Sequence, residues 1–304
     1  MTDDTKRRAG FVALIGAPNA GKSTLLNAMI GSKIAIVTPK VQTTRARMLG
    51  IAIEQGSQMI FVDTPGIFNP RRRLDRAMVA AAWASVGNAD EVVLLVDAAH
   101  GIGHDVTRIL EGLKDLGPAA KNVVLALNKV DAVEPTKLLK LSADLNAAYP
   151  FRDTFMISAL TGDGVEDLKR HLAERLPEGP WLYPEDQLAD IPQRMLAAEI
   201  TREKLFLKLR QELPYAATVE TESWKEQKDG SLRLDQVIFV QRQGHKGIIL
   251  GKGGAMIRSI GADARAELEQ IFGCKVHLFL FVKVRENWVD DPERFRAMGL
   301  DYTD

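Results

Sequence analysis

The chain has 304 residues, more than most single domains need, and its 46% hydrophobic content can fill two sizeable cores. Forty Lys and Arg balance forty Asp and Glu, which excludes a uniformly basic or acidic surface. One cysteine, Cys274, excludes an intrachain disulfide framework. The five histidines lack zinc-ligand spacing, and no window of about 18 apolar residues reads as a membrane span.

Residues 1–8 carry no apolar signal core and read as a flexible, solvated arm, so the expected compartment is the cytoplasm. From Phe11 the chain alternates short β-branched runs with helical stretches. Strands are expected over 11–16, 48–54, 58–63, 91–97, 122–128 and 153–158, and helices near 22–31, 74–88, 105–116, 136–148 and 164–176. The pattern predicts a doubly wound α/β domain over 9–176. The strands at 48–54 and 58–63, joined by a polar Gln-Gly turn, are expected as its antiparallel edge.

Directly behind the first strand lies Gly16-Ala17-Pro18-Asn19-Ala20-Gly21-Lys22-Ser23, followed by Thr24, a match to G-x-x-x-x-G-K-[ST] in the strand–loop–helix setting that pattern requires. The glycines let backbone N–H groups aim at phosphate oxygens. Lys22 reaches the β- and γ-phosphates, and the Ser23 hydroxyl suits Mg²⁺. Asp63-Thr64-Pro65-Gly66 fits D-x-x-G, with Asp63 holding Mg²⁺ through water and the Gly66 amide meeting the γ-phosphate. A threonine before the 48–54 strand should complete the metal shell. Thr43 and Thr44 compete for that place, with Thr38 a weaker third. Lys22, Asp63, Gly66 and the metal-binding threonine are the expected catalytic set.

The base is chosen at the end of a later strand by Asn128-Lys129-Val130-Asp131. Asp131 can accept from N1–H and the 2-amino group of guanine, whereas adenine would leave it unpaired. Lys129 is expected along the ring and Asn128 between this loop and the P-loop. Ser158-Ala159-Leu160 is expected to place the Ala159 amide near guanine O6. The nucleotide is therefore GTP or GDP.

This order of motifs resembles that of the translation-factor-like GTPases along the whole first half. Gln42-Thr43-Thr44-Arg45 is similar to the switch of Era-type GTPases, and the resemblance favours Thr44 as the metal ligand. Ile67 stands where Ras-type enzymes place a water-orienting glutamine. In relatives with that replacement, an asparagine matching Asn19 helps coordinate K⁺, so the resemblance implies a K⁺ ion beside the phosphates. Bracing of the loop by Asn19 is the plainer alternative.

Pro177, Pro180, Pro184 and Pro192 mark residues 177–192 as a linker. Residues 193–304 then read as a smaller α+β domain with a C-terminal tail: an amphipathic helix over 193–212, strands at 215–225 and 232–241 across Asp229-Gly230, a glycine-rich turn, a helix over 255–272 and a strand at 275–284. Between Gln236 and Ala262 there is no acid, while Arg242, Lys246, Lys252 and Arg258 are basic. Gly251-Lys252-Gly253-Gly254 sits inside that stretch between two helical segments. The order resembles the type II KH fold, whose G-x-x-G turn clamps single-stranded nucleic acid. Lys252 would meet phosphate, and Ile248, Ile249 and Ile257 would line a groove for bases. Trp288 is a weaker stacking candidate, better read as core.

A GTPase domain followed by a type II KH domain resembles the Era-type family of bacterial ribosome-assembly GTPases over about residues 8–290. The resemblance implies Mg²⁺-dependent, K⁺-stimulated GTP hydrolysis by a monomer. It also implies binding near the 3′ end of small-subunit ribosomal RNA during 30S maturation, with no DNA partner. Peripheral contact with the inner membrane is left open.

Overall fold

The computed structural model describes residues 7–41, 43–45, 48–70, 72–120, 122–286, 288 and 291–302. Of these, one compact unit takes those within Met1–Ala35, Thr44–Asp190 and Phe295–Asp304, and a second takes those within Ile36–Thr43 and Ile191–Arg294. Lys6, Gln42, Asn287 and Val289, which the sequence places in the arm, the switch and the region after the last strand, lie outside the described residues.

The first unit runs β1 (Arg8–Gly16), α1 (Lys22–Ile30), β2 (Met48–Glu54), β3 (Ser57–Asp63), α2 (Arg73–Gly87), β4 (Glu91–Asp97), α3 (His104–Leu116), β5 (Val123–Asn128), α4 (Pro135–Ala148), β6 (Thr154–Ile157) and α5 (Val165–Arg175). Its sheet has the order β2-β3-β1-β4-β5-β6, and every pairing except β2–β3 is parallel. All residues of β3 and β5 are buried, as expected of strands covered on both faces. The β2–β3 turn holds Gln55 and Gly56 at φ 49° and 78°, the doubly left-handed backbone of a type I′ hairpin. Switching strand order on either side of β1 opens a crevice at the carboxyl ends, and the phosphate loop follows β1 there.

Three boundaries depart from the sequence reading. Arg8 is not part of a free arm: it opens β1 opposite Ser57 and its Nη1 donates to Leu176 O at 2.6 Å. Residues 177–190 are not a free linker. Gln58, wholly buried, accepts from the Leu182 and Tyr183 amides at 2.8 and 3.0 Å and donates to Tyr183 O at 2.8 Å. Ile51 N then donates to Leu188 O at 2.8 Å, so the proline-rich segment lies along the β2 edge. The prolines forbid helix, but backbone carbonyls and amides remain to pair with an edge strand. The third departure is the placing of the described residues 295–302 with the first unit, where Arg73 stacks on the Tyr302 ring at 4.9 Å.

The second unit contains α6 (Gln193–Lys208), β7 (Ala217–Glu226), β8 (Leu232–Val240), α7 (Gln243–Leu250), α8 (Ala255–Phe272) and β9 (Val276–Val284); α9 (Pro292–Ala297) follows near the C-terminus. Its sheet is β7-β8-β9, antiparallel then parallel, so the β8–β9 crossover carries α7, the glycine turn and α8. Helices α6 and α8 cover one sheet face through Leu205, Ile260, Ile238 and Val282 in one cluster and Ile200, Leu268, Leu234 and Val276 in another.

Segment Ile36–Thr43 packs with this unit rather than with the strands that flank it in sequence. Ile36 joins the cluster around Leu196 and Ile200, the Val37 amide donates to Glu203 Oε1 at 2.8 Å, and Lys40 Nζ donates to Leu209 O at 2.9 Å. Arg202 Nη2 donates to Thr43 O at 2.5 Å. The sequence reading assigned this segment wholly to the first domain.

Candidate functional site

Backbone conformation builds the phosphate loop. Gly16 and Gly21 hold φ 155° and 101°, and Asn19 is left-handed at 63°. A Cβ on Gly16 would lie 2.5 Å from Leu95 O, and one on Gly66 would lie 2.8 Å from Pro18 N, so both positions demand glycine. Helix α1 begins at Lys22 with no side-chain cap, leaving its N-terminal amides to a ligand. Lys22 is buried, and its Nζ donates to Gly16 O and Ala17 O at 3.1 and 3.0 Å. Burial lowers its pKa to about 8. Thr24 is half-buried, and Thr64 Oγ1 donates to Leu14 O at 2.9 Å.

Three oxygens converge beside this loop. Ser23 Oγ donates to Asp63 Oδ2 at 3.0 Å, and Thr44 Oγ1 lies 2.9 Å from Ser23 Oγ and 3.3 Å from Asp63 Oδ2. Thr43 is turned elsewhere, with its hydroxyl bonded to Lys40 O at 2.7 Å and set 2.6 Å from Thr38 Oγ1. Geometry therefore brings Thr44, and neither Thr43 nor Thr38, to the carboxylate. Asp63 is fully buried, its Oδ1 has no hydrogen-bond partner, and burial raises its pKa to about 6 against Lys22, Ser23, Thr44 and Thr64. A buried carboxylate with an orphaned oxygen, next to two hydroxyls, is a hard-oxygen set suited to Mg²⁺ completed by phosphate and water.

The base loop is tied to the phosphate loop as expected. Asn128 Nδ2 donates to Ala20 O at 2.8 Å, while its Oδ1 accepts from Ala159 N at 2.9 Å. The Ala159 amide, expected near guanine O6, here donates to Asn128 Oδ1, a bond that also holds the Ser158–Leu160 turn. Ser158 is fully buried, and Leu160 is 81% exposed. Asp131 stands exposed on the turn after β5, where a base can reach it.

Lys129 is braced rather than free. Its Nζ donates to Asn19 O at 2.9 Å and meets Asp97 Oδ2 at 2.5 Å. Asp97 was missed in the sequence, although an acid ending β4 at the ligand edge of the sheet was the available signal. Burial pushes its carboxyl up, but the hydrogen bond and charge of Lys129, with Ala99 N and His100, hold it below the usual range. Ile67 is buried in the core and its amide donates to Gly16 O at 3.1 Å, so its side chain does not enter the crevice.

In the second unit, Gly251, Gly253 and Gly254 all have positive φ, and a Cβ on Gly251 would lie 2.8 Å from Met256 Cβ. Helix α8 follows without a side-chain cap, and Lys252 is exposed at its mouth. Arg258 Nη1 donates to Gly253 O at 2.7 Å, so it holds the turn as well as adding charge. Arg242 is exposed and Lys246 half-buried. Of the expected apolar groove, Ile248 is exposed and Ile257 half-buried, but Ile249 is fully buried in the core and drops out. Trp288 is also core: it packs on Val237 and Phe239, and its Nε1 donates to Ala216 O at 3.3 Å.

These two sites define a P-loop GTPase unit combined with a KH unit. Residues 11–129 match the model of the 50S ribosome-binding GTPase family, and residues 212–289 match that of the KH domain. The chain is 62% identical to GTPase Era of Dinoroseobacter shibae over 98% of its own length and 96% of the relative's. It is equally identical to GTPase Era of Sinorhizobium medicae over 97% and 94%. A crystal structure of Era in complex with MgGDPNP and nucleotides 1506–1542 of 16S ribosomal RNA superposes with TM-score 0.90 at 38% identity, covering 96% of this chain and 99% of that one. A variant of Aquifex aeolicus Era bound to GDP·AlF4⁻ matches equally well. The chain belongs to the GTPase Era family.

Proposed function

We propose that this GTPase binds single-stranded RNA at the 3′ end of small-subunit ribosomal RNA through its KH unit and acts, as a cytoplasmic monomer, in 30S subunit assembly. The observation that carries the reading is that one chain holds both loops in anion-receiving form. Gly16–Ser23 leads into an uncapped α1, and Gly251–Gly254 leads into an uncapped α8. The full-length likeness to an Era bound to MgGDPNP and a 16S ribosomal RNA fragment supports it.

In the first site, Lys22 and the loop amides hold the phosphates, Asp131 reads guanine, and Asn128 keeps the two loops in register. Ser23, Thr44 and Asp63 would hold Mg²⁺, which when bound neutralises charge on the β- and γ-phosphates. Gly66 offers its amide to the γ-phosphate. With Ile67 in the core, no side chain at that position orients water; Asn19 would help hold a K⁺ ion, which would supply the electrostatic role of an arginine finger. Turnover in KCl should exceed that in NaCl several-fold; equal rates would remove K⁺ from the mechanism.

In the second site, Lys252, Arg242, Lys246 and Arg258 face the phosphate backbone while Gly251, Gly253 and Gly254 allow its close approach. Lys252→Asp should weaken binding of a 3′-terminal small-subunit RNA fragment at least tenfold while GTP turnover persists. Unchanged RNA affinity would sink the proposal.

A further inference from the structure

The second unit exposes an aromatic face that the glycine clamp does not use. Side chains of β9 alternate: Leu280 and Val282 join the core cluster under α6 and α8, whereas Phe279 and Phe281 point the other way and are 44% and 51% exposed. On β8 the same outer face carries Arg233 beside His277, Asp235 beside Phe279 and Val237 beside Phe281. Trp288 covers the Val237 and Phe239 end, which leaves the Arg233–Phe279–Phe281 end bare.

Three features point to one kind of occupant. The Arg233 guanidinium lies 4.6 Å from the Phe279 ring centroid, a cation already seated on a flat π surface. A trough of about 510 Å³ lies against these residues, lined by Lys228, Asp229, Ser231, Arg233, His277 and Phe279, and a nucleoside fits such a volume. From Gln270 to Arg285 the chain contains no acid, while Lys275, Lys283 and Arg285 are basic, the same pattern that marks the G-x-x-G stretch. The acids nearby are matched. Asp229 accepts from Ser231 N and Oγ at 3.0 and 2.6 Å, Asp235 from Arg233 Nε at 3.2 Å, and Glu222 from Lys283 Nζ at 2.8 Å.

We infer that this outer face is a second RNA contact, on which unpaired bases stack against Phe281 and the stacked Arg233–Phe279 pair while Lys228 meets the phosphates. Aromatics interleaved with cations on an open sheet suit single-stranded nucleic acid, because every base has a π face whatever its sequence. The inference rests on the RNA-binding reading of the KH unit and extends its footprint from the helical side to the far side of the sheet.

Binding of the full chain to two unstructured RNAs, a 6-mer and a 20-mer, tests it. The G-x-x-G clamp alone spans about four nucleotides, so the 6-mer reports that site and only the longer RNA can reach both. The double variant Phe279→Leu/Phe281→Leu keeps apolar area but loses the flat rings. It should bind the 6-mer as the parent does, which also shows that it folds, and the 20-mer at least tenfold more weakly. Phe279→Trp/Phe281→Trp should bind the 20-mer at least as tightly as the parent. Lys252→Asp separates the two claims: loss of the 6-mer keeps the KH reading whatever the Phe variants do. Parent-like binding of the 20-mer by the Leu double variant overturns the inference and gives the face to a protein partner instead.

Discussion

Asp97 shows how one carboxylate can matter without facing the phosphates. It anchors Lys129, Lys129 in turn holds the Asn19 carbonyl, and Asn19 sits left-handed in the phosphate loop. Asp97→Asn would keep the shape and remove the charge from a partly buried pair, an interaction of about 1 kcal/mol or somewhat more. The expected result is a KM for GTP raised about three- to tenfold with kcat nearly unchanged; a fall in kcat at constant KM would contradict this positioning role. At this scale most of the site was legible, because the phosphate and guanine motifs are contiguous in sequence. Asp97 was legible only as an acid at a strand end; its partner Lys129 lies 32 residues on, and only the β4–β5 pairing, which sets Asp97 opposite Asn128, brings the two together. The choice between Thr43 and Thr44 likewise needed coordinates, as neighbouring threonines differ only in which way the backbone turns them.

Strands and helices were readable because periodicity and β-branched runs report burial directly, and the G-x-x-G crossover kept its expected order. The edge-bound segment 177–190 was misread for a physical reason. Proline content reports what a segment cannot form, not which amides and carbonyls it leaves for an edge strand. Removing the Gln58 amide would leave the Leu182 and Tyr183 amides unpaired, so Gln58→Leu should lower stability by about 1–3 kcal/mol in denaturant unfolding. An unchanged unfolding midpoint would show that the segment is held by something else. The far end of the sheet offers a pH test. Glu91 opens β4 with 1% exposure, and burial pushes its carboxyl up to about 7 against the pull of Arg152 and Arg175, with Asp90 and Asp153 adding to the rise. A folded-state pKa above the ordinary 4.5 means that the folded protein holds the proton more tightly. Stability from this group is greatest below about 4.5 and is lost as pH rises towards about 7. Glu91→Gln keeps an acceptor for Arg152 and cannot titrate. Its Tm relative to the parent should therefore rise between pH 5 and pH 8, and a pH-independent difference would refute the assignment.

Across the whole molecule, motif order and the sequence of elements together pointed to a GTPase unit followed by a KH unit, and both are present. What sequence could not show is that Ile36–Thr43, a stretch between P-loop helix and edge strand, packs on α6 of the second unit. Among its contacts are the Ile36 side chain, the Val37 amide, the Lys40 ammonium and the Thr43 carbonyl, and none of these forms a sequence motif. Thr44, the next residue, lies with Ser23 and Asp63. Chain continuity between Thr43 and Thr44 is the physical basis for expecting the nucleotide to influence the KH unit. A guanine nucleotide that binds one state better than another can shift the equilibrium only by its differential affinity, so the coupling must appear in binding constants. The decisive measurement is the affinity of the full chain for a 3′-terminal small-subunit RNA fragment, taken with a non-hydrolysable GTP analogue and with GDP, each with Mg²⁺ at one salt concentration. Binding at least about fivefold tighter with the GTP analogue is expected. Equal affinities in the two nucleotide states would contradict a GTP cycle that times RNA binding.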